Sequence, residues 1–392
     1  MGPELPTEET LTIEKLVYGG DGLARISGRV VFIPYVLPGE VVRANVEQVK
    51  RDLFRGRLIE VISPSAARVE PPCPYFLHCG GCHYQHTDYA IQVEQKKGIL
   101  REVLRRVGKI ELESDVAAVT GDPWQYRNRV QLHIENGTVG YFEPASHRLC
   151  SIERCAISSP ALNGYIDRLN AELSHFDSLT GAVDLFTNET EVQVNVLDRV
   201  PKQALAMLGS LGVTGPIEYS GFRVSRNSFF QVNRFLVNDL VECAVGGAQG
   251  EWALDLYAGV GLFAKRLATQ FAKVTAVESG GSAFADLEHN LQQPAVHQST
   301  DDYLTSLEDR PDFILADPPR SGLGKNVVRE LSRIRPPRLT IISCDPATLA
   351  RDLQGLLAAG YRIGKVTLVD LFPQTFHLET VVALSSEAAP QD

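Results

Sequence analysis

The chain has 392 residues, 44% of them hydrophobic, and a formal net charge of −10. A chain of this length can bury large cores in two or three domains. Its acidic balance argues against a protein coated with positive charge that holds nucleic acid without specificity, so any surface for nucleic acid has to be local.

Cysteine content and hydropathy restrict the class of protein further. Seven cysteines are too few for a secreted scaffold held by disulfides, so they indicate metal binding or catalysis in a reducing compartment. No apolar run approaches the ~20 residues that cross a bilayer, and the amino terminus "MGPELPTEET" lacks the basic and apolar regions of a secretory signal. We therefore expect a cytoplasmic monomer without a membrane partner.

Short β-branched runs separated by turn residues mark residues 1–62 as a first domain. Stretches such as "TLTIEKLVY", "GRVVFIPYV" and "VVRANVEQVK" predict five short strands, and Pro38-Gly39 suits a type II turn. Strands of this kind are typical of a small β-barrel of the oligonucleotide-binding type. The segment resembles the TRAM domain, an RNA-binding barrel, although a barrel that serves only as a spacer is an alternative.

Residues 63–215 predict a small α+β central domain. The proline-rich stretch "SPSAARVEPPCPY" indicates a linker, and a helix is expected from about Asp88 to Val107, packed on the catalytic domain. Strands such as "RNRVQLHI" and "EVQVNVL" follow. Six basic residues of the helix form either a local RNA surface or only a solvated face: Lys96, Lys97, Arg101, Arg105, Arg106 and Lys109.

Three cysteines of the central domain, Cys73, Cys79 and Cys82, have the spacing Cx5Cx2C. This spacing is close to that of three iron–sulfur ligands with a distant fourth. Zinc is an alternative on spacing alone, because histidines stand close by, although the second CxxC of a zinc ribbon is missing. These histidines are His78, His83 and His86.

Residues 216–392 predict a Rossmann-like domain. "EWALDLY", "KVTAVE", "DFILADPP" and "RLTIISC" read as buried strands that alternate with helices, as in a doubly wound parallel sheet. Ligands of such sheets bind beyond the carboxyl ends of the strands. The polar residues at those ends are therefore the candidates for a site.

A glycine turn after the first of these strands predicts a nucleotide-like ligand. Gly259, Gly261 and Ala264 fit the GxGxxG/A pattern, and Glu278 ends the next strand, where a carboxylate can accept both ribose hydroxyls. A nicotinamide dinucleotide fits this geometry as well. The loop "ADPPRSGL" favours S-adenosylmethionine instead, because its prolines hold Asp317 rigidly enough to bind the edge of a base.

The same loop indicates the atom that is methylated. Enzymes that methylate an exocyclic amine usually carry Asn-Pro-Pro-aromatic here, whereas this chain has Asp317 and Arg320. A ring carbon is therefore the expected target. Carbon 5 of uracil is a weak nucleophile, and a thiolate that adds to carbon 6 activates it.

Cys344 in "TIISCDPATLARDL" is the expected nucleophile. It ends a strand, and Asp345-Pro346 predicts a helix that begins directly after it, whose dipole favours a thiolate. A buried structural cysteine is the alternative. The proton on carbon 5 must leave after methylation, and Glu379 or His377 can accept it. Both side chains lie on one face of a strand, so the pattern does not choose between them.

The whole set of motifs resembles the RNA uridine 5-methyltransferase family from residue 10 to about 385. The stretches that carry the resemblance are "FFQVN", "DLYAGVGLF", "DPPRSGL", "SCDPATLARDL" and "TFHLETV". The resemblance implies that Cys344 is the nucleophile and Glu379 the base. It implies that the residues lining the cofactor and base pocket are Gln231, Tyr257, Glu278 and Asp317, and the glycine pattern adds Gly259 and Gly261 to the cofactor site.

The resemblance also implies the cofactors and the substrate. Relatives with the Cx5Cx2C pattern hold a [4Fe-4S] cluster, completed by a cysteine in a motif like "ERCAIS", which matches Cys155 better than Cys150. The barrel favours ribosomal RNA, such as 23S rRNA, over transfer RNA. Two other functions are carried as alternatives, namely a non-catalytic iron–sulfur protein that binds RNA and a methyltransferase for carbon 5 of cytosine.

Overall fold

The computed structural model describes residues 7–50, 53–176 and 178–386. The outer ends of the predicted first and third domains, residues 1–6 and 387–392, lie outside the described residues. The chain divides into two units that are discontinuous in sequence. Unit 1 comprises Met1–Ile99, Tyr141–Cys150 and Phe372–His377, and unit 2 comprises Leu100–Gly140, Ser151–Leu371 and Leu378–Asp392.

Six strands of unit 1 form one sheet around an apolar core. In chain order they are β1 (Thr7–Thr12), β2 (Lys15–Leu16), β3 (Asp21–Ile26), β4 (Arg29–Pro34), β5 (Val41–Lys50) and β6 (Leu53–Ser63). Their order in the sheet is β1-β5-β6-β4-β3-β2. Alternate residues such as Val31, Ile33, Val42 and Ala44 are fully buried, as expected for strands that show one face to a core. Five strands were predicted, and the two-residue β2 is the sixth.

The predicted proline-rich linker is a fixed segment because a buried carboxylate binds it. Glu40 is fully buried, and its two oxygens accept hydrogen bonds from the N–H of Ser65 and of Leu37 and from the Arg68 guanidinium at 2.6 and 2.8 Å. Burial alone would raise the pKa of Glu40, but these hydrogen bonds outweigh it and lower the pKa. The charged carboxylate therefore ties the segment to the barrel.

Nine α-helices follow in the described part of the chain. They are α1 (Tyr89–Val103), α2 (Pro160–Leu173), α3 (Lys202–Ser210), α4 (Val237–Val245), α5 (Leu262–Leu267), α6 (Gly281–Asn290), α7 (Thr300–Ser306), α8 (Gly324–Ile334) and α9 (Pro346–Ala358). A π-helical turn, Leu104–Gly108, continues α1 and packs on α9 within unit 2, as predicted for the end of this helix. None of these helices is long and apolar enough to span a membrane.

The predicted basic surface on this helix is wrong for one of its members. Lys96 is fully buried, and its Nζ donates a hydrogen bond to the carbonyl oxygen of Phe372 at 2.9 Å. Lys97 pairs with Glu94 on the same helix. The helix face is therefore less basic than its composition indicates.

The segment Phe372–His377 is held within unit 1 by a network of amide hydrogen bonds. The carbonyl oxygen of Gln374 accepts from the N–H of His83 at 2.8 Å and of Tyr84 at 3.0 Å. The buried Gln92 binds both the backbone N–H and the side chain of Gln374. This segment directly precedes Leu378 and Glu379 in the chain.

Two sheets and a hairpin account for the remaining strands. The first sheet has the order β10-β9-β8-β11-β12. In chain order, the strands of both sheets and of the hairpin are β7 (Ala117–Val119), β8 (Arg129–Glu135), β9 (Thr138–Phe142), β10 (Leu149–Ser151), β11 (Thr180–Thr187), β12 (Val192–Val196), β13 (Ile217–Tyr219), β14 (Phe222–Val224), β15 (Gly250–Leu256), β16 (Phe271–Glu278), β17 (Ala295–His297), β18 (Phe313–Ala316), β19 (Arg338–Ser343), β20 (Arg362–Val369) and β21 (Thr380–Ser385). β13 and β14 form the hairpin.

The second sheet has eight strands in the order β17-β16-β15-β18-β19-β21-β20-β7. β15 to β19 are mutually parallel, as the alternation of strands and helices predicted. The last strand, β21, runs antiparallel between β19 and β20. Because of this insertion, the carboxyl end of β19 lies beside the amino end of β21.

Candidate active site

The register of the eight-stranded sheet brings the predicted site residues to one edge. Leu256 pairs with Ala316, and Ala316 pairs with Ile341, so β15 and β18 end at the same level and β19 continues two residues further to Ser343. Asp317 directly follows β18, and Tyr257 directly follows β15. The predicted pocket residues therefore share the edge at which ligands of parallel sheets bind.

The expected nucleophile and the expected base are each adjacent in sequence to one member of the same residue pair between β19 and β21. Ser343 of β19 pairs with Thr380 of β21. Cys344 follows Ser343, and Glu379 precedes Thr380, so both lie just beyond the same end of this antiparallel pair. Glu379 is buried, with 6% of its surface exposed, whereas the Cys344 side chain is partly accessible. A thiol and a buried carboxyl group therefore lie at the same end of this strand pair, and their roles as nucleophile and base stay predictions.

Asp345 begins α9 directly after the thiol. Its Oδ1 accepts hydrogen bonds from the N–H of Ala347 at 2.9 Å and of Thr348 at 2.8 Å, and Pro346 occupies the first helical position. These are the preferred N-cap interactions, and they confirm the predicted helix start. The cap fixes the backbone that carries Cys344.

The prediction that Cys344 is a thiolate is wrong for the protein without a ligand. Burial raises the pKa of Cys344 to about 11, and the charges of Glu379 and Asp317 raise it further, while Arg320 lowers it. The helix dipole was expected to favour the anion, but desolvation and two neighbouring acids oppose it more strongly. The thiol is therefore protonated at neutral pH until a cation or another change in charge compensates.

The carboxyl groups of the site also resist ionisation. Burial raises the pKa of Asp317 to about 7. Burial, and then the charge on Asp317, raises the pKa of Glu379 well above its usual range. Two acids that interact in a buried place cannot both be charged at low cost, so they titrate as a pair. A raised pKa makes Glu379 a stronger base once its own proton has left.

Sequence reasoning missed Asp255, which lies within β15. It is completely buried, and none of the described side chains hydrogen-bonds to its carboxyl oxygens, although the backbone N–H of Ala264 lowers its pKa. Burial raises the pKa of Asp255 well above its usual range, and the charges of Asp317 and Glu278 add to this effect. A single acid in the apolar run "WALDLY" was the signal that could have identified it.

The glycine turn beside Asp255 is built for close approach of a ligand. Glu278 Oε2 accepts the N–H of Gly259 at 2.9 Å, and its Oε1 accepts the N–H of Gly280 at 2.6 Å. Gly261 has φ +94°, and a Cβ there would lie 2.9 Å from the Leu287 side chain. Only glycine fits at this position, so the turn and the carboxylate that binds it form one rigid unit.

These residues fit S-adenosylmethionine. Each oxygen of Glu278 retains a second lone pair that can accept from a ribose hydroxyl. The neighbouring acids Asp255, Asp317 and Glu278 together favour a cation, and the cofactor carries both an ammonium group and a sulfonium centre. Tyr257 adopts φ +60° at the start of the same turn.

Gln231 lies in a different element from the glycine turn. The preceding residue, Phe230, belongs to an apolar cluster that also contains Val260 of the turn. Gln231 has 6% of its surface exposed, and the side chain of Asn128 donates to its backbone oxygen at 3.2 Å. No described residue hydrogen-bonds to the Gln231 side-chain amide, so the amide is available to a ligand.

The loop that carries Asp317 and Arg320 is braced by α9. Asp352 Oδ2 accepts the N–H of Leu323 at 2.7 Å, and Arg351 donates to the carbonyl oxygen of Ser321 at 2.8 Å. Both residues lie two turns after the helix start that fixes Cys344. One helix therefore positions both the nucleophile and the acidic loop, a link that sequence spacing did not indicate.

The predicted metal ligands are distributed over both units. Cys73, Cys79, Cys82 and Cys150 belong to unit 1, and Cys155 belongs to unit 2. Burial raises the pKa of Cys150, with Glu143 and Cys73 as further causes. Among the described residues, no group of three or more His, Cys, Asp or Glu side chains is arranged to hold a metal ion. The iron–sulfur cluster stays a prediction.

Comparisons with known proteins identify relatives of nearly the whole chain. Two family models match the chain, the TRAM domain at residues 7–59 and tRNA (uracil-5-)-methyltransferase at residues 302–387. An RNA methyltransferase of Aquifex aeolicus is 30% identical over 95% of this chain and 97% of its own length. The 23S rRNA (uracil(1939)-C(5))-methyltransferase of Pectobacterium atrosepticum is 30% identical over 95% of this chain and 92% of its own.

A solved structure shows the same fold over nearly the whole chain. The crystal structure of Pyrococcus abyssi tRNA (uracil-54, C5)-methyltransferase in complex with S-adenosyl-L-homocysteine has a TM-score of 0.76 and 23% identity. The match covers 95% of this chain and 99% of that one. The predicted architecture, a Rossmann-like domain with an amino-terminal barrel, is confirmed.

The full-length relatives define the class of this protein, which is an RNA methyltransferase. The chain belongs to the family of S-adenosylmethionine-dependent RNA uracil-5-methyltransferases.

The pKa of Cys344 predicts how its reactivity depends on pH. Without ligand, alkylation by iodoacetamide should rise about tenfold per pH unit from pH 7 to 10, because the thiolate is a minor form below pH of about 11. S-adenosylmethionine should accelerate alkylation at pH 7.5 about tenfold or more, since its sulfonium charge stabilises the thiolate. S-adenosylhomocysteine has the same groups without that charge and should accelerate it less. Mass spectrometry measures the rate at each cysteine.

The partly buried Cys243 of α4 is the control in the same sample. Its alkylation should not depend on either cofactor. Equal acceleration at Cys344 by both cofactors, or half-maximal reactivity below pH of about 8, contradicts the proposed origin of the raised pKa.

Proposed function

We propose that this protein methylates carbon 5 of a specific uridine in RNA, most specifically in 23S rRNA, through a covalent bond between Cys344 and uracil carbon 6. The observation that carries the proposal is the position of Cys344 and Glu379 at one end of the β19 and β21 pair. A nucleophile and a base on one rung can act on adjacent carbons of one ring. Asp317, at the end of the neighbouring strand, faces the same edge and binds the base.

The reaction has four steps on the side of the protein. Cys344 loses its proton to solvent, which reaches its partly exposed side chain. Its sulfur then adds to carbon 6, and the electron pair of the carbon 5–carbon 6 double bond moves toward carbon 5 and the oxygen on carbon 4. Arg320 stabilises the sulfur anion before addition. Carbon 5 then takes the methyl group, which S-adenosylmethionine supplies when bound. Glu379 removes the remaining proton from carbon 5, and the bond between sulfur and carbon 6 breaks.

Glu379 is the better candidate for this base than His377. Its raised pKa gives it a high affinity for the proton of carbon 5. His377 belongs to the segment Phe372–His377 of unit 1 and packs against the ring of Phe376 at 4.3 Å. Period-2 alternation alone left both residues as alternatives.

The substrate proposal rests on the relative that acts on 23S rRNA and matches over nearly the full length. The solved relative that acts on transfer RNA supports the fold and keeps uridine 54 of transfer RNA as the second candidate. In either RNA the target base must leave its stack to reach Cys344, so a uridine in a loop is expected. The cytoplasmic location and the monomeric state stay predictions from the sequence.

The covalent step predicts opposite behaviour of two variants. RNA with 5-fluorouridine at the target should form a stable adduct with the wild type, because fluorine does not leave as a proton does. Cys344→Ala should form no adduct and no product. Glu379→Gln should accumulate adduct on ordinary RNA and lose about 100- to 10,000-fold in product formation. Denaturing gels with radiolabelled RNA measure both species.

Cys243→Ala removes a thiol of similar exposure and should behave as the wild type does. Loss of product in Glu379→Gln without adduct would transfer the role of base to another residue. Undiminished product in Cys344→Ala would exclude covalent catalysis.

The substrate can be identified in cells that lack the gene. We expect one 5-methyluridine to disappear from 23S rRNA and transfer RNA to remain fully modified, as measured by mass mapping of both RNA classes. Plasmid-borne wild type should restore the modification, and Cys344→Ala should not. Loss from transfer RNA alone would make the second candidate correct.

We also propose a [4Fe-4S] cluster with Cys73, Cys79, Cys82 and Cys155 as ligands. The spacing and the thiolate donors support it, and the N–H of Gly81 donates to the sulfur of Cys79 at 3.4 Å, a contact that tunes such sulfurs. Methyl transfer requires no electron transfer, so the cluster has a structural or RNA-positioning role.

Anaerobic purification should yield about four iron and four sulfide ions per chain, because this is the composition of one [4Fe-4S] cluster. Cys79→Ser should lose most of both, and Cys243→Ser should lose neither. Bound zinc without sulfide would replace the cluster by the zinc alternative. A metal-free wild type that is folded and active would exclude both metals.

A further inference from the structure

A cavity of 720 Å³ lies on the outer side of the barrel, wholly within unit 1. None of the residues that line it belongs to the candidate active site. Three aromatic side chains contribute to its wall, namely Tyr18, Phe32 and Tyr35. Each is only partly buried, so its ring is accessible from the cavity. Partly buried aromatic rings around an open cavity are typical of sites that stack a planar group.

The strand register places charged and polar groups beside these rings. Phe32 of β4 pairs with Arg55 of β6, and Asn45 of β5 pairs with Arg57 of β6. All four side chains line the cavity and leave the opposite, inner face of the sheet to the core. The arrangement is therefore built into the ladder and does not depend on a loop.

The charged groups of the cavity are available for a ligand. Arg57 is exposed, and no described residue accepts a hydrogen bond from its guanidinium. Arg55 stands opposite Glu47, which also lines the cavity, and the charge of Arg55 acts on Asp21. By contrast, the cross-strand neighbour of Arg57 is the uncharged Asn45. Asp21 also lines the cavity, and no described residue donates to its carboxylate. Burial raises the pKa of Asp21 and Arg55 opposes this shift, so the carboxylate gains from additional donors.

We propose that this cavity binds one unpaired nucleotide of the RNA substrate, outside the target uridine, with its base against the aromatic rings and a phosphate at Arg57. The proposal rests on the proposed function only in that the occupant is part of the RNA substrate. A nucleotide combines a planar apolar face, hydrogen-bonding edges and a negative charge, and the cavity offers a partner to each.

The size of the cavity supports a small occupant over a protein partner. Sites for ligands of nucleotide size enclose roughly 300–1,000 Å³, and this cavity falls within that range. A stable protein interface extends over roughly 800 Å² on each partner, whereas the groups that this proposal uses lie around one cavity. One base with its sugar and phosphate is the occupant that the dimensions favour.

Asp21 indicates which base is preferred. Guanine presents two adjacent donors, N1–H and N2–H, that match the two oxygens of a carboxylate. Adenine and cytosine present one amino group next to an acceptor, and uracil presents one N–H between two carbonyl oxygens. We therefore expect the cavity to prefer guanine, with Asn45 as an additional hydrogen-bonding group.

Short RNA oligonucleotides test the site directly. The probes are a fluorescent heptauridylate with a central guanosine and the same strand with a central adenosine, both measured by anisotropy. The guanosine strand should bind the wild type about five- to tenfold more tightly. Phe32→Ala should weaken binding of the guanosine strand about 5- to 100-fold, as expected for loss of base stacking. Asp21→Asn should remove the preference for guanosine.

Salt dependence tests the phosphate contact. A plot of the logarithm of the binding constant against the logarithm of the salt concentration has a negative slope. Arg57→Ala should reduce the magnitude of this slope by about one, as expected for the loss of one phosphate contact. Arg25→Ala is the matched control, because Arg25 is an exposed arginine of the same barrel that pairs with Glu14 and does not line the cavity. If Phe32→Ala fails to fold, Arg57→Ala still tests the site, because the Arg57 side chain is exposed and its removal leaves the core unchanged.

Methylation assays separate this inference from the proposed function. With the natural RNA substrate, Arg57→Ala should raise KM for RNA about tenfold and leave kcat unchanged, whereas Arg25→Ala should change neither. If Arg57→Ala, Phe32→Ala and Arg25→Ala all bind RNA like the wild type, the inference is overturned, even if methylation proceeds. Binding of free guanosine monophosphate with no effect of the variants on RNA also overturns it. If the protein binds the guanosine strand preferentially but methylates no RNA, the result would support nucleotide binding in the cavity and contradict the proposed function.

Discussion

The active site depends on the crowding of acidic groups at one edge of a sheet. Burial raises the pKa values of Asp255, Asp317 and Glu379, and the charge of Asp317 further disfavours ionisation of the other two. Cys344 shares this surrounding and keeps its proton for the same reason. Like charges in a medium of low dielectric constant repel strongly, so the free site favours the protonated, neutral forms.

A cationic cofactor changes this balance in the direction that catalysis requires. A sulfonium charge near the edge lowers the cost of every anion there, including the sulfur anion that attacks the base. The raised pKa of Glu379 has the complementary effect, because it keeps the carboxylate a strong base when carbon 5 must lose its proton. In the proposed mechanism, activation of Cys344 is thereby coupled to cofactor binding, and the protein without a cofactor presents a thiol of low reactivity to other electrophiles.

Sequence reasoning could predict those parts of the site that depend on neighbouring residues. Cys344 followed by Asp345-Pro346, and Asp317 followed by two prolines, indicate strand ends and rigid turns by local chemistry alone. The cap of α9 confirmed the first of these in detail. The parallel sheet was predictable for the same reason, since alternation of strands and helices is a local pattern.

The properties that sequence reasoning predicted wrongly or did not predict depend on long-range electrostatics and burial. The helix dipole is a local property, but the pKa of Cys344 is decided by desolvation and by acids more than 25 residues away in sequence. Lys96 was predicted on a surface because lysine is normally solvated, yet its ammonium group binds a carbonyl oxygen 276 residues further along the chain. Asp255 escaped notice because an acid within a strand has no motif of its own. None of these properties can be derived before the tertiary packing is known.

The insertion of β21 between β19 and β20 has a consequence for which changes the gene can tolerate. Side chains of a strand alternate between its two faces, so a deletion or insertion of one codon in β21 would turn the carboxylate toward the wrong side of the sheet. Loops of the chain can vary in length during evolution, but the spacing from Glu379 to the pairing of Thr380 with Ser343 cannot. We therefore expect natural length variation of this protein to avoid the final strand altogether.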